Sequence, residues 1–210
     1  MGRLITILTL SALLGACQST GTPVATPSPS ASPHTVVTAA VLQPGEVPAG
    51  LTACPASGPI AGYLLNLQGT DPVLASRMTD QWQQLRAKGA VNAAISLFTA
   101  DPAACTAELA VTSSVKSAAS FVAVFSDEGQ AERAWGSGVL GFVPPAQGEV
   151  APGLARGAGT GLGLSAWTYD RPSVRLACWR RSVFVSLVVL ANLDPTAFKS
   201  VTAAIDARLN

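Results

Sequence analysis

The pattern of apolar and polar positions predicts four amphipathic helices. Three of them follow an Asp-Pro pair, at residues 71, 101 and 194. Asp accepts hydrogen bonds from the free amides of a first helical turn, and Pro at the first helical position loses no needed donor. The fourth helix is expected to run from Asp127 through Trp135 and to end at Gly136-Ser137-Gly138. The helix after Asp101 should be short, about two turns.

Apolar runs between these helices predict about five strands. Val91, Ala93, Ile95 and Leu97 alternate with other residues, and residues 121–125 are apolar on both faces, as in a central strand. The other strands are expected at 162–169, 174–179 and 183–191, with a hairpin turn at Arg180-Arg181-Ser182. This order predicts an α+β fold, with an antiparallel or mixed sheet and helices packed mainly on one face.

The first 17 residues have the pattern of an export signal that ends in a lipidation site. Arg3 precedes an apolar run, residues 4–14, that is too short to span a bilayer. Leu14-Gly15-Ala16 then comes directly before Cys17. This segment resembles the signal peptide of bacterial lipoproteins, although the usual order before the cysteine is Leu-Ala-Gly. The resemblance implies cleavage before Cys17 and attachment of lipid to that residue.

A plain secretory signal peptide and an N-terminal transmembrane helix are the alternatives for this segment. The short apolar run behind a single Arg fits a signal better than a membrane span. Because two or more acyl chains hold a protein stably at a membrane, we expect a tether at Cys17. The expected location is the cell envelope, on the outer face of the plasma membrane or at the outer membrane where the cell has one.

The chain after the signal divides into a linker and one domain. Residues 18–36 are rich in Ser, Thr, Pro and Ala and carry no Asp, Glu, Lys or Arg, so we predict a disordered linker. Residues 37–210 have the length and composition of a single globular domain. The formal net charge is +1 and no long basic run occurs, so no nucleic-acid partner is expected.

Cysteine usage agrees with an exported protein. Once Cys17 is lipidated, Cys54, Cys105 and Cys178 remain, and the simplest oxidised state is one disulfide and one buried thiol. We favour a Cys54–Cys105 disulfide because Cys54 lies in an irregular segment that needs fastening to the domain. Cys178 instead alternates with apolar residues on a strand. A three-thiolate zinc site is the alternative, but the usual ligand spacings are missing, so no metal or other cofactor is expected.

No catalytic residue is assigned from the sequence. The single histidine, His34, lies in the linker, which excludes His-dependent nucleophilic catalysis from the folded domain. Asp127, Glu128 and Glu132 form the one close acidic group, and a helix start explains them. The glycine-rich segments 136–141 and 157–163 lack the context of a dinucleotide fingerprint and of a phosphate loop, respectively.

One cluster of aromatic and basic residues is the candidate ligand site. Its members are Trp167, Tyr169, Arg175, Trp179, Arg180 and Arg181. If the aromatic members and Arg175 share a sheet face, they form a surface for anionic or sugar-like ligands. The alternative is that the aromatics pack in the core and the arginines are solvated.

The sequence as a whole therefore predicts a membrane-anchored, non-catalytic binding module. Its expected ligand is hydrophobic or anionic, or a protein partner. The alternative is a secreted hydrolase that uses carboxylates on wall or extracellular polymers.

Overall fold

The computed structural model describes residues 36–106 and 114–209. The predicted signal, the lipidation site at Cys17 and all of the linker except Val36 lie outside the described residues, so their boundaries stay predictions. Within the described part of the chain, no helix is both long enough and apolar enough to cross a membrane.

The described residues form an α+β fold. The α-helices are α1 (Val37–Ala40), α2 (Ile60–Thr70), α3 (Pro72–Ala87), α4 (Glu128–Ser137) and α5 (Pro195–Asp206). The strands are β1 (Thr52–Ala53), β2 (Gly58–Pro59), β3 (Ala90–Thr99), β4 (Ser117–Phe125), β5 (Leu154–Arg156), β6 (Ala166–Asp170), β7 (Val174–Arg181) and β8 (Phe184–Ala191). Short 3-10 helices occupy Pro44–Glu46, Pro102–Thr106 and Gly157–Thr160.

Aspartate caps begin three of the helices, as predicted. The side chains of Asp71, Asp127 and Asp194 accept hydrogen bonds from backbone amides of the first turns of α3, α4 and α5, at 3.0, 2.8 and 2.8 Å. Helix α4 ends at Gly138, whose φ of 99° favours glycine. After Asp101 the described residues form a 3-10 helix, Pro102–Thr106, and the rest of the predicted helix lies outside the described residues.

The strands form one antiparallel sheet in the order β1-β3-β4-β8-β7-β6-β5, and β2 also pairs with β3. The described sheet has eight strands, more than the predicted number of about five. The three additional strands, β1, β2 and β5, have only two or three residues each. Such short segments are too small to show an apolar period, which is why the sequence pattern did not indicate them.

Helices pack on both faces of the sheet rather than mainly on one. Helices α2, α3 and α4 cover what we call the first face, against residues such as Ile95, Phe121 and Leu187. Helices α1 and α5 cover the second face, against residues such as Val122 and Val188. The reason is visible in β8, where every residue is buried. A strand that is apolar on both faces needs cover on both.

Two local predictions about strands require correction. A bulge between Ala90 and Asn92 shifts the register of β3, so Val91 is exposed instead of facing the core with Ala93. The hairpin turn between β7 and β8 lies at Ser182 and Val183, because Arg181 still pairs with Phe184. Ser182 has a φ of 48°, the left-handed conformation that such a tight turn requires.

The predicted disulfide is confirmed. Cys54 and Cys105 are bonded, with their Cα atoms 5.4 Å apart, and they join the segment before α2 to the 3-10 helix after β3. Cys178 is a buried free thiol on the first face of β7, also as predicted. Burial raises the pKa of the Cys178 thiol, which keeps it protonated and unreactive.

Candidate functional site

The predicted aromatic and basic cluster is divided between the two faces of the sheet. Trp167 and Tyr169 pack with the first-face core, whereas Trp179 is part of the second-face core. The register explains this division, because Trp167 pairs with Cys178 and the neighbouring Trp179 pairs with Ala166. Since side chains alternate along a strand, Arg175 shares a face with Trp179 but not with Trp167 and Tyr169, so the condition that all four residues share a face is not met.

The second-face members of the cluster fasten α5 to the sheet. The indole N–H of Trp179, which is fully buried, donates to Asp206 Oδ1 at 2.9 Å. The Arg181 guanidinium donates to both carboxylate oxygens of Asp206, each at 2.7 Å. Hydrogen bonding to Asp206 raises the pKa of Arg181. We call these three residues the Asp206 clamp, and its contacts are those of a structural element.

The other two arginines of the cluster also have structural partners. Buried Arg175 forms an ion pair with Asp170 at 2.8 Å and donates to the carbonyl oxygen of Leu193. Arg180 lies 2.5 Å from Glu132 and 3.8 Å from Glu128, both on α4. The acidic group that the sequence placed on α4 therefore pairs with β7.

The first-face pair, Trp167 and Tyr169, lines a groove of about 450 Å³. We call it the aromatic groove. Its floor is formed by these two side chains of β6 and by Leu176 of β7. Its walls come from the segment 143–154, and they include Val143, Pro144, Pro145, Ala151 and Leu154.

Local contacts hold the wall in place. Arg156 donates to the carbonyl oxygen of Pro145, and Glu149 Oε2 accepts from the amide of Ala146 at 2.9 Å. Gly153 has a φ of 81°, and a Cβ atom there would lie 2.1 Å from the carbonyl oxygen of Asp170. Only glycine therefore permits this close approach of the wall to β6. The wall residues are not among the site residues predicted from the sequence.

The floor of the groove contains an unsatisfied donor. Trp167 is only 6% exposed, and its indole N–H is buried without a hydrogen-bond partner among the described residues. The indole N–H groups of Trp179 and Trp135 both have acceptors, Asp206 and the carbonyl oxygen of Cys178. A buried donor without a partner costs about 1–3 kcal/mol. A ligand acceptor or a water molecule at Trp167 would recover this free energy.

Exposed apolar residues and one cation lie near the groove. Val143 is exposed, and Val150, in the same wall segment, is 94% exposed. The Arg171 guanidinium carbon lies 5.7 Å from the ring centroid of Tyr169, in the range of a cation–π contact. The groove therefore offers an aromatic floor and an exposed apolar wall residue, Val143, and the floor residue Trp167 carries a buried N–H without a partner among the described residues.

Among the described residues, no group of three or more His, Cys, Asp or Glu side chains could hold a metal ion. Comparisons with protein-family models, with curated proteins and with solved structures find no match for this chain.

Proposed function

We propose that the protein is a lipid-anchored binding module of the cell envelope and that its ligand occupies the aromatic groove. The observation that carries the proposal is an apolar groove lined by Trp167, whose buried indole N–H has no partner among the described residues. Ligand sites are typically concave and apolar, with a few polar groups that orient the ligand. The ligand class is a small molecule with an apolar face and a hydrogen-bond acceptor.

The size and lining of the groove favour this ligand class. Its volume of about 450 Å³ lies within the range of about 300–1,000 Å³ that is usual for small-molecule sites. The alternative of a carboxylate-dependent hydrolase gains no support from the acids on α4, since Glu132 forms an ion pair with Arg180 and Glu128 is 66% exposed. The proposed binding role does not require a catalytic residue.

Ligand binding is testable with the soluble form, residues 18–210, by intrinsic tryptophan fluorescence. Three probes combine apolar surface with an acceptor: lauric acid, triacetylchitotriose and decaproline. We expect at least one of them to bind, and Tyr169→Ala to weaken that binding by about tenfold, or ~1.4 kcal/mol. Leu164→Ala is the control, because Leu164 is 84% exposed and does not line the groove. Failure of all three probes to bind at millimolar concentration, or equal effects of the two substitutions, contradicts the proposal.

Trp167→Phe separates the hydrogen bond from the apolar contact. We expect binding of the same probe to weaken about five- to tenfold, which corresponds to one hydrogen bond of ~1 kcal/mol. Stability should change by less than for Trp179→Phe, because the N–H of Trp167 has no partner to lose. The matched control is Trp135→Phe. The indole N–H of Trp135 already donates to the carbonyl oxygen of Cys178, so this variant should bind the probe with the affinity of the parent. Unchanged affinity in Trp167→Phe would show that the N–H does not contact the ligand.

The lipid anchor is tested by Cys17→Ser in the full chain. Bacterial lipoproteins, which residues 1–17 resemble, are held at the membrane by the acyl chains on this cysteine, and loss of two or more chains removes stable anchoring. The parent should fractionate with membranes and incorporate labelled fatty acid. The variant should incorporate none and should appear in the soluble fraction once the signal is removed. A variant that stays in the membrane fraction would indicate a retained N-terminal helix instead of a lipid anchor.

A further inference from the structure

A second concave site lies between the C-terminal end of α3 and helix α4. Arg86, Lys88, Arg133 and Ser137 line it, together with Gln130, and its volume is about 440 Å³. We call it the basic cleft. We infer that the basic cleft binds a phosphate group. The inference is independent of the aromatic groove, since the two sites share no residue.

The charge of the cleft is the first observation. Three cationic side chains line it and no carboxylate does. In the described residues, none of the three forms an ion pair, whereas Arg175, Arg180, Arg181 and Arg208 all do. Like charges that converge on a concave surface attract an anion and raise its local concentration.

The positions of the cations argue for a ligand rather than for helix stabilisation alone. Arg86 and Lys88 lie at the C-terminal end of α3, where cations interact favourably with the helix dipole. Arg133 does not have this role, because it lies in the middle of α4. It lies four residues before Ser137, so both project from one side of α4 into the cleft.

Short contacts build the cleft. Lys88 Nζ donates to Ser137 Oγ at 2.6 Å, and this bond connects the end of α3 with the end of α4. At Gly89, a Cβ atom would lie 1.8 Å from Gln130 Oε1, so glycine allows α4 to approach the chain here. Gln130 Oε1 is itself buried without a hydrogen-bond partner among the described residues.

These groups match the chemistry of a phosphate group. Guanidinium groups bind phosphate oxygens through paired N–H donors, and an ammonium group adds a compact charge. The two N–H groups of Lys88 that do not donate to Ser137 remain available for a ligand. The phosphate can come from free phosphate or from the headgroup of an anionic lipid, and the experiment has an arm for each source.

The experiment uses residues 18–210 at low ionic strength, where screening of surface charge is weak. Binding of inorganic phosphate is measured by calorimetry. Binding to phosphatidylglycerol vesicles is measured by co-sedimentation, with phosphatidylcholine vesicles as the neutral comparison. Arg133→Gln and Lys88→Gln are compared with Lys199→Gln, which removes one exposed charge from α5, on the other face of the sheet.

We expect at least one phosphate source to bind, and each cleft variant to weaken that binding by about tenfold while Lys199→Gln leaves it within about twofold. Binding of inorganic phosphate assigns a site for free phosphate, and binding of vesicles alone assigns a headgroup site. Binding of neither source overturns the inference. Equal effects of Arg133→Gln and Lys199→Gln also overturn it, because they would reflect net charge only. Tyr169→Ala should leave phosphate binding unchanged. Failure of the phosphate inference can therefore be distinguished from failure of the aromatic-groove proposal.

Discussion

Replacement of both Cys54 and Cys105 by serine is expected to lower the free energy of unfolding by about 4 kcal/mol. The two residues are separated by 51 positions, and a cross-link over such a loop removes much conformational freedom from the unfolded chain. The bond also joins the segment between β1 and α2, which contains β2, to the 3-10 helix after β3. Urea denaturation of the parent and of the variant measures the difference.

Reductant provides the control for the disulfide prediction. Dithiothreitol should lower the stability of the parent to nearly that of the double variant and should not change the variant. Cys178→Ala should keep the parent's response to reductant, because Cys178 is a free thiol in the core. A parent that unfolds at the same urea concentration with and without reductant would contradict a stabilising disulfide.

Asp206→Ala is expected to lower the free energy of unfolding by about 2–3 kcal/mol. The main cause is the indole N–H of Trp179, which is fully buried and loses its acceptor. The lost pairing with Arg181 adds less, because that side chain is 34% exposed and water screens the interaction. The result would show that the Asp206 clamp holds α5 on the second face of the sheet.

Glu128→Ala is the matched control for the clamp. It also removes one carboxylate that faces an arginine, but Glu128 is 66% exposed and lies 3.8 Å from Arg180. Its effect on stability should stay within about 0.5 kcal/mol. Equal destabilisation by Asp206→Ala and Glu128→Ala would contradict a structural role for the Trp179 contact.

The sequence predicted the elements whose signals are local. Three helix starts were predictable because the capping residue and the first turn are adjacent in the chain; the caps are Asp71, Asp127 and Asp194. The long strands have enough residues for an apolar pattern, whereas β1, β2 and β5 do not. The apolar run at residues 121–125 indicates helices on both faces of the sheet, whereas the predicted fold had them mainly on one face.

The candidate site depends on strand register and on contacts between residues that are distant in the sequence, and neither can be derived from the local sequence pattern. Whether Trp167 faces Trp179 depends on the register between β6 and β7, and a shift by one residue moves a side chain to the other face. The partner of Arg181 is Asp206, 25 positions away, so the arginine could not be recognised as structural from its neighbours. The groove wall was missed because its place depends on single contacts of Arg156 and Gly153 within an irregular segment.

The most direct test of the proposed binding site follows the indole N–H signals of residues 18–210 by nuclear magnetic resonance. The chain has four tryptophans, and Trp→Phe variants assign their four signals. During titration with a probe that binds, the Trp167 signal should move progressively because its free N–H acquires an acceptor, while the Trp179 signal, already bonded to Asp206, should stay in place. A Trp167 signal that does not move at saturation would contradict the proposal that the ligand occupies the aromatic groove.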